Sequence, residues 1–220
     1  QKTLPALKYM EIELVAWDMM DQRRMTEVLR EYQPAEIYNF AACSSGSGMY
    51  ADPVGIGEVN GLSVVRLLEA IREVNASIRL CQASSSELFG DALESPQSEE
   101  TPFLPRSPYG VAKLYAHSMI RVYRQHFGLS VCSAILFNHE SPRRSMGFVT
   151  RKITHQIAMI KLGLADELRL GNLDARRDWG FAGDYVRAMW LMLQEPTLDD
   201  YVVATGVTHS VRDLCEMAFS

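Results

Sequence analysis

No stretch of this 220-residue chain approaches the roughly 18 to 20 consecutive apolar residues that a membrane-spanning helix needs. With no secretory signal either, the expectation is a cytoplasmic protein with no membrane partner. Cysteine is scarce and scattered: Cys43, Cys81, Cys132 and Cys215 form neither a Cys-x-x-Cys pair nor a Cys/His ligand spacing. They read as unpaired thiols in a reducing compartment, and no metal site is expected. Cationic side chains are outnumbered, since 22 Lys and Arg against 27 Asp and Glu give a net charge of −5 and a pI near 5.6. A general nucleic-acid binder needs a basic stripe to neutralise phosphates, so no nucleic-acid partner is expected. Internal repeats and low-complexity tails are absent as well.

A further absence concerns glycine. Short apolar runs alternate with longer helical patterns, which implies a parallel sheet covered by helices, yet no Gly-rich turn separates a first strand from a first helix. A dinucleotide-binding sheet should begin with one. Gly46 and Gly48 lie in a loop with no helix directly after it, so they do not substitute. The expected explanation is a sheet that lacks its first strand and Gly-rich turn because the sequence is part of a longer protein. The other reading is a domain that has lost its phosphate turn and only binds.

What is present is ordinary for a globular chain, with 47% hydrophobic and 22% charged residues and a length that can bury a sizeable core. Strands are expected over 10–16, 36–42, 77–83, 131–137 and 167–170. Helices are expected over 21–31, 59–73, 109–127, 150–162 and 183–193, with Gly128 as a stop and Pro108 in a first turn. The stretch 90–108, rich in Pro, Ser and Glu, reads as an ordered surface loop. The expected organisation is a main domain over residues 1–147 and part of a smaller lobe over 148–220.

Two segments carry the chemistry. Tyr109-Gly110-Val111-Ala112-Lys113 places a phenol and an ammonium one helical turn apart on one face, where the cation is expected to favour the tyrosinate and make a base. Ser84-Ser85-Ser86-Glu87 follows a strand and adds hydroxyls and a carboxylate if the sheet brings the two together. The implied chemistry is proton abstraction from an alcohol with a second acid or base. Taken singly, each of these side chains is more often an ordinary helix face or capping group; their combination is what points to function.

With Gln82–Gly90, Arg106–Tyr115, Leu136–Pro142, Phe148–Thr154 and Asp166–Gly180 read together, the chain resembles the GDP-mannose 4,6-dehydratase family of extended short-chain dehydrogenases/reductases. The resemblance runs from Asp18 to Thr208. It implies a Rossmann-like doubly wound α/β fold with a smaller C-terminal nucleotide-sugar lobe, bound NADP, GDP-mannose or a related GDP-sugar as substrate, and a homodimer or homotetramer formed through the helices at 59–73 and 109–127. By that resemblance Tyr109, Lys113, Glu87 and Ser85 are catalytic, with Ser85 standing where the family usually has Thr. Asp18 and Met19 would meet the adenine, while Phe40, Ala41, Ala42, Cys43 and Ser44 pass the pyrophosphate and ribose. His139 and Arg144 fall on the cofactor side, together with Tyr109 and Lys113. Asn138 would face the sugar; Arg177 and Lys152 the diphosphate; Val149, Leu168, Gly171 and Asn172 the guanine. Cys43 and Gly55 depart from the family's usual Gln and Tyr. Sugar epimerases of the superfamily generally lack a carboxylate at the position of Glu87, so dehydration is expected rather than epimerisation.

Overall fold

The computed structural model describes residues 12–44 and 50–220. Four short strands form the main sheet in the order β1 (Glu36–Asn39), β2 (Arg79–Ala83), β3 (Val131–Leu136) and β6 (Tyr201–Val203), all parallel. Parallel strands need long crossovers, and here helices supply them. α1 (Gln22–Tyr32), α3 (Ser63–Val74) and α4 (Pro108–Phe127) cover one face, while α6 (Ala182–Gln194) covers the other. Period-two alternation in β2 divides the core: Leu80 joins Met25, Leu68, Ile71 and Ile120 on the first face, and Cys81 joins Tyr185, Met189 and Leu193 on the second. All of β3 is buried, as a central strand covered on both faces should be.

Local signals set the helix ends. Asp21 caps α1 by accepting from the Arg24 amide at 3.0 Å, and its Met25, Val28 and Leu29 form the buried stripe. Ser107 caps α4 by accepting from the Gly110 amide at 3.0 Å, Pro108 occupies the first turn, and Gly128 ends the helix at φ 67°. The expected helix over 59–73 is longer than its pattern suggests. It begins as α2 (Pro53–Gly57), passes through a π-helical turn (Glu58–Leu62) and continues as α3.

A second, three-stranded sheet holds β4 (Asn138–Glu140), parallel to β5 (Arg176–Phe181), with β7 (Thr208–Ser210) antiparallel on its far side. α5 (Val149–Lys161) and α7 (Val211–Phe219) pack beside it around Ile153, Ile157 and Val211. Residue 147 is crossed in both directions: β4 lies before it, whereas α6 and β6, after it, belong to the first sheet.

Two expected strands do not form. Met10 and Glu11 lie outside the described residues, and 12–18 has no ladder partner; Ile12 and Leu14 face solvent, while Trp17 and Met19 pack on the core. A strand is defined by its neighbour, and β1 pairs only with β2 among the described residues. Residues 167–170 likewise form no strand, because Leu168 and Leu170 serve as apolar contacts for α5 and α7 instead. Residues 176–181, expected as loop, are a strand. Its charged Asp178 is buried, where it accepts from the Thr205 amide, the Thr205 hydroxyl and the Gly206 amide.

Candidate active site

The carboxyl ends of β1, β2 and β3 open into a cleft of about 260 Å³, where ligands bind in open α/β sheets. From β2 come Ala83, Ser84, Ser85 and Glu87; α4 contributes Tyr109 and Lys113; the strand after β3 adds Asn138 and His139. Phe40, Ala42 and Ser44 enter from the end of β1, and Arg144 and Phe148 close the far side. The two chemistry-bearing segments of the sequence thus share one cavity. A larger depression, about 920 Å³, lies elsewhere, between α4 and the turn before β6, and holds none of these groups.

Close backbone approach makes the juxtaposition possible. After β2 the chain makes a 3₁₀ turn over Ser86–Leu88, capped by Ser85, whose hydroxyl accepts from the Glu87 amide at 3.2 Å. That turn lies against the first turn of α4 at Gly110, where an added Cβ would stand 2.8 Å from the Glu87 carbonyl oxygen. Any other residue would force the Glu87 backbone and the first turn of α4 to shift relative to one another.

Lys113 is only 3% exposed, and its ammonium donates to the Ala83 carbonyl at 2.7 Å. Burial pulls its pKa down from 10.5 to about 8, because the charged form loses water. Its Nζ lies 5.7 Å from the centroid of the Tyr109 ring. The expected lowering of the tyrosine pKa by this cation is not what the structure gives. Burial raises the phenol above its ordinary value, the Ser85 hydrogen bond and Arg144 counteract, and Glu87 adds to the rise. Desolvation is the largest of these effects and outweighs the stabilising contacts.

His139 Nδ1 lies 2.9 Å from the Phe137 carbonyl, so its N–H is held there, and its ring packs against Tyr185 with centroids 5.0 Å apart. Arg144 sits with its guanidinium carbon 3.5 Å over the Phe148 ring and its Nε 3.2 Å from Glu140. Cys43 is exposed and does not line the cleft, although its amide and carbonyl are both held by the buried Asn60, at 2.9 and 3.1 Å. Ala41 is tied to Asn39 by its amide at 3.2 Å.

A second cavity of about 280 Å³ shares Glu87 and Asn138 with the first and is lined by Arg106, Arg176 and Arg177. Arg177 thereby reaches the site. Val149, Lys152, Leu168, Gly171 and Asn172 line neither cavity. Lys152 is exposed on α5, Val149 and Leu168 are half-buried against the apolar cluster of α5 and α7, and Asn172 accepts from the Asp174 amide within a turn. Asp18 and Met19 sit at the start of α1, apart from both cavities; Asp18 accepts from the Met20 amide at 2.8 Å.

Several site residues escape sequence reasoning. Ser84, whose buried hydroxyl has no partner, belongs to the serine run that the sequence singles out, but no role of its own is read for it there. Asn60 gives no such signal, because its place depends on the π-helical turn that carries it. Arg106 and Arg176 sit in segments whose spacing says nothing of a shared cavity.

The family profile described as GDP-mannose 4,6 dehydratase matches residues 3–220. The GDP-mannose 4,6-dehydratase of Sinorhizobium fredii is 50% identical over 204 residues, covering 92% of this chain and 58% of the relative. The Homo sapiens GDP-mannose 4,6 dehydratase is 47% identical over 204 residues, covering 92% and 55%. Among solved structures, the RMD protein of Pseudomonas aeruginosa, complexed with NADPH, superposes with a TM-score of 0.87 at 28% identity, covering 92% of this chain and 70% of that one. A dTDP-glucose 4,6-dehydratase from Bacillus anthracis gives 0.84 at 22% identity, covering 98% and 66%, which speaks to fold alone. The chain spans about half the length of the curated relatives it matches. With one cleft gathering Ser85, Glu87, Tyr109 and Lys113, and the family profile matched along nearly the whole sequence, the chain belongs to the GDP-mannose 4,6-dehydratase family.

Proposed function

We propose that the protein of which this sequence is a part eliminates water from GDP-mannose to give GDP-4-keto-6-deoxymannose, with NADP as its resident cofactor. The observation that carries this reading is the convergence of Ser85, Glu87, Tyr109 and Lys113 on one cleft. The residues present suit the ribose and nicotinamide end of a dinucleotide. Lys113 has spare donors beyond its bond to Ala83, and the unpartnered Ser84 hydroxyl lines the same wall as Phe40, Ala42 and Ser44. Bound NADP supplies the acceptor of the C4 hydride and later its donor to C6.

The protein's own side chains handle the protons. The unliganded cleft holds the Tyr109 phenol protonated, so its role as base requires the cationic nicotinamide of bound NADP to lower its pKa; as tyrosinate it takes the proton of the 4-hydroxyl, and Ser85 hydrogen-bonds the 4-oxygen as its charge changes. A carbonyl at C4 acidifies C5–H, whose proton Glu87 removes. The same carboxyl then protonates the departing C6 hydroxyl as water, so its proton count closes, and the proton that Tyr109 took from the 4-hydroxyl balances the one delivered to C5 at the end of the cycle. Arg177, with Arg106 beside it, supplies bidentate donors for the diphosphate at the second cavity. Lys152, Val149 and the 168–172 segment would meet the nucleotide on the lobe built from β4, β5, β7, α5 and α7. Asp18 and Met19 would lie toward the adenine, and Cys43 toward the phosphates.

Three further parts of the reading rest on separate observations. Val111, Tyr115 and Val122 on α4, with Leu62 beside them, leave an exposed apolar face that a second copy would cover, giving a homodimer or homotetramer. All four cysteines are free, and no helix among the described residues is long and apolar enough to cross a membrane. Both observations suit a cytoplasmic enzyme. The deciding experiment incubates the protein with NADP and GDP-mannose and follows product mass. A 4-keto-6-deoxy product formed by the parent and lost in Glu87→Gln, with GDP-mannose binding retained, is expected. Epimerised sugar, or full turnover by Glu87→Gln, would refute the assignment.

A further inference from the structure

The acceptor beneath Lys113 is itself held by a buried chain of hydrogen bonds. Ala83 is the last residue of β2, and its carbonyl accepts both the Lys113 ammonium at 2.7 Å and the Gln82 side-chain amide at 3.0 Å. Gln82 is 1% exposed, and its carbonyl oxygen accepts from Asn39 Nδ2 at 2.7 Å. Asn39 is 6% exposed on the neighbouring strand, and its own oxygen accepts from the Ala41 amide at 3.2 Å. The chain therefore runs without a break from the loop after β1, through two buried amides, to the ammonium on α4. Register makes it possible, because Asn39 and Gln82 are paired positions of adjacent parallel strands.

Each link has one sensible orientation. Asn39 must direct its oxygen to the Ala41 amide, so its NH₂ faces Gln82, and Gln82 must then present oxygen to Asn39 and NH₂ to Ala83. Two positively polarised donors consequently meet at one carbonyl oxygen. We propose that Gln82, oriented by Asn39, is a positioning residue for Lys113: it shares the Ala83 carbonyl with the ammonium and so weakens the hold of that oxygen on the cation. The ends of β1 and β2 thus set how firmly the cleft holds its cation. The other charged or titratable groups sharing the cavity with Lys113 are Tyr109 from α4, Glu87 from the turn after β2, His139 from β4 and Arg144 from the loop after it. β1 and its loop add only Phe40, Ala42 and Ser44. The inference builds on the reading of Lys113 as part of the dehydratase site.

The test is titration of Lys113 in the ligand-free chain carrying ¹³C-labelled lysine, followed by NMR, and in parallel the pH profile of kcat and KM with GDP-mannose. Gln82→Leu removes the competing donor, so the Lys113 midpoint is expected to rise by about half a pH unit or more. Gln82→Glu keeps an acceptor for Asn39 but offers no donor to Ala83, and its carboxylate should raise the midpoint further. This second variant carries the test if Gln82→Leu fails to fold. The alkaline limb of kcat should move with the midpoint while KM stays within about twofold, a split that a merely structural role would not produce. An unchanged or lowered midpoint in the folded variants overturns the proposal and leaves the dehydratase reading untouched. Conversely, full turnover by Glu87→Gln would sink that reading with the Lys113 titration intact.

Discussion

Replacing Lys113 by Met should make the protein more stable near neutral pH while abolishing its activity. Lys113 is a cation held 3% exposed, and burial lowers its pKa from 10.5 to about 8. The folded state therefore binds this proton less tightly than the unfolded chain does. Above both values the group is neutral in either state and contributes no penalty. Between about 10.5 and about 8 the unfolded chain gains the proton first, so stability falls as pH falls, and below about 8 the full penalty is present. The shift corresponds to about 3 kcal/mol of differential interaction. Methionine fills similar volume without charge, but Ala83 loses one donor and keeps Gln82, which returns about 1 kcal/mol. The net expectation at pH 7 is a gain of roughly 2 kcal/mol, or some 4 to 8 °C in Tm for a chain of this size. Urea unfolding of parent and variant at pH 7, 9 and 10.5 measures it directly. A variant less stable than the parent at pH 7, or a parent whose deficit against the variant does not shrink between pH 7 and 10.5, would refute the reasoning.

Four other outcomes are expected. His117 is 7% exposed on α4 and is pushed below its ordinary 6.5 chiefly by burial, with Asp200 opposing, so stability should fall as pH drops below about 6.5; His117→Phe should flatten that slope in thermal melts. Asp178→Ala leaves the Thr205 and Gly206 amides without their buried acceptor and should cost about 3 kcal/mol in urea unfolding. Gly90→Ala introduces a side chain at φ 50° against the Leu104 carbonyl and should lower Tm by several degrees, roughly the effect of 1 to 3 kcal/mol. Tyr115→Glu places a charge on the apolar α4 face and should lower the mass seen by light scattering without unfolding the chain.

How much of this was legible in the sequence varies with the range of the forces involved. Helix ends were readable because Asp21, Pro108 and Gly128 act within a few residues of themselves, and the structure adds Ser107 as the cap of α4. The pairing proposed as catalytic was readable in part, since one helical turn fixes Tyr109 beside Lys113, and Ser85 and Glu87 follow a strand end. Residues 12–16 have strand chemistry but no ladder partner among the described residues, and a ladder depends on a neighbour that no local pattern specifies. The strand at 176–181 was hidden for the converse reason: Asp178 is tolerable inside only because residues 205 and 206 arrive to donate to it.

By itself, then, the sequence determined the alternation of elements, the absence of a basic stripe and of metal-ligand spacing, and a family membership carried by runs of matching residues. Only the tertiary structure decided that Gly110 lets Glu87 lie against α4, that Asn39 and Gln82 reach Lys113 through Ala83, and that the tyrosine is desolvated more than it is helped by its lysine. Those three facts depend on contacts between segments distant in sequence, where burial and hydrogen-bond geometry, not spacing, set the energies.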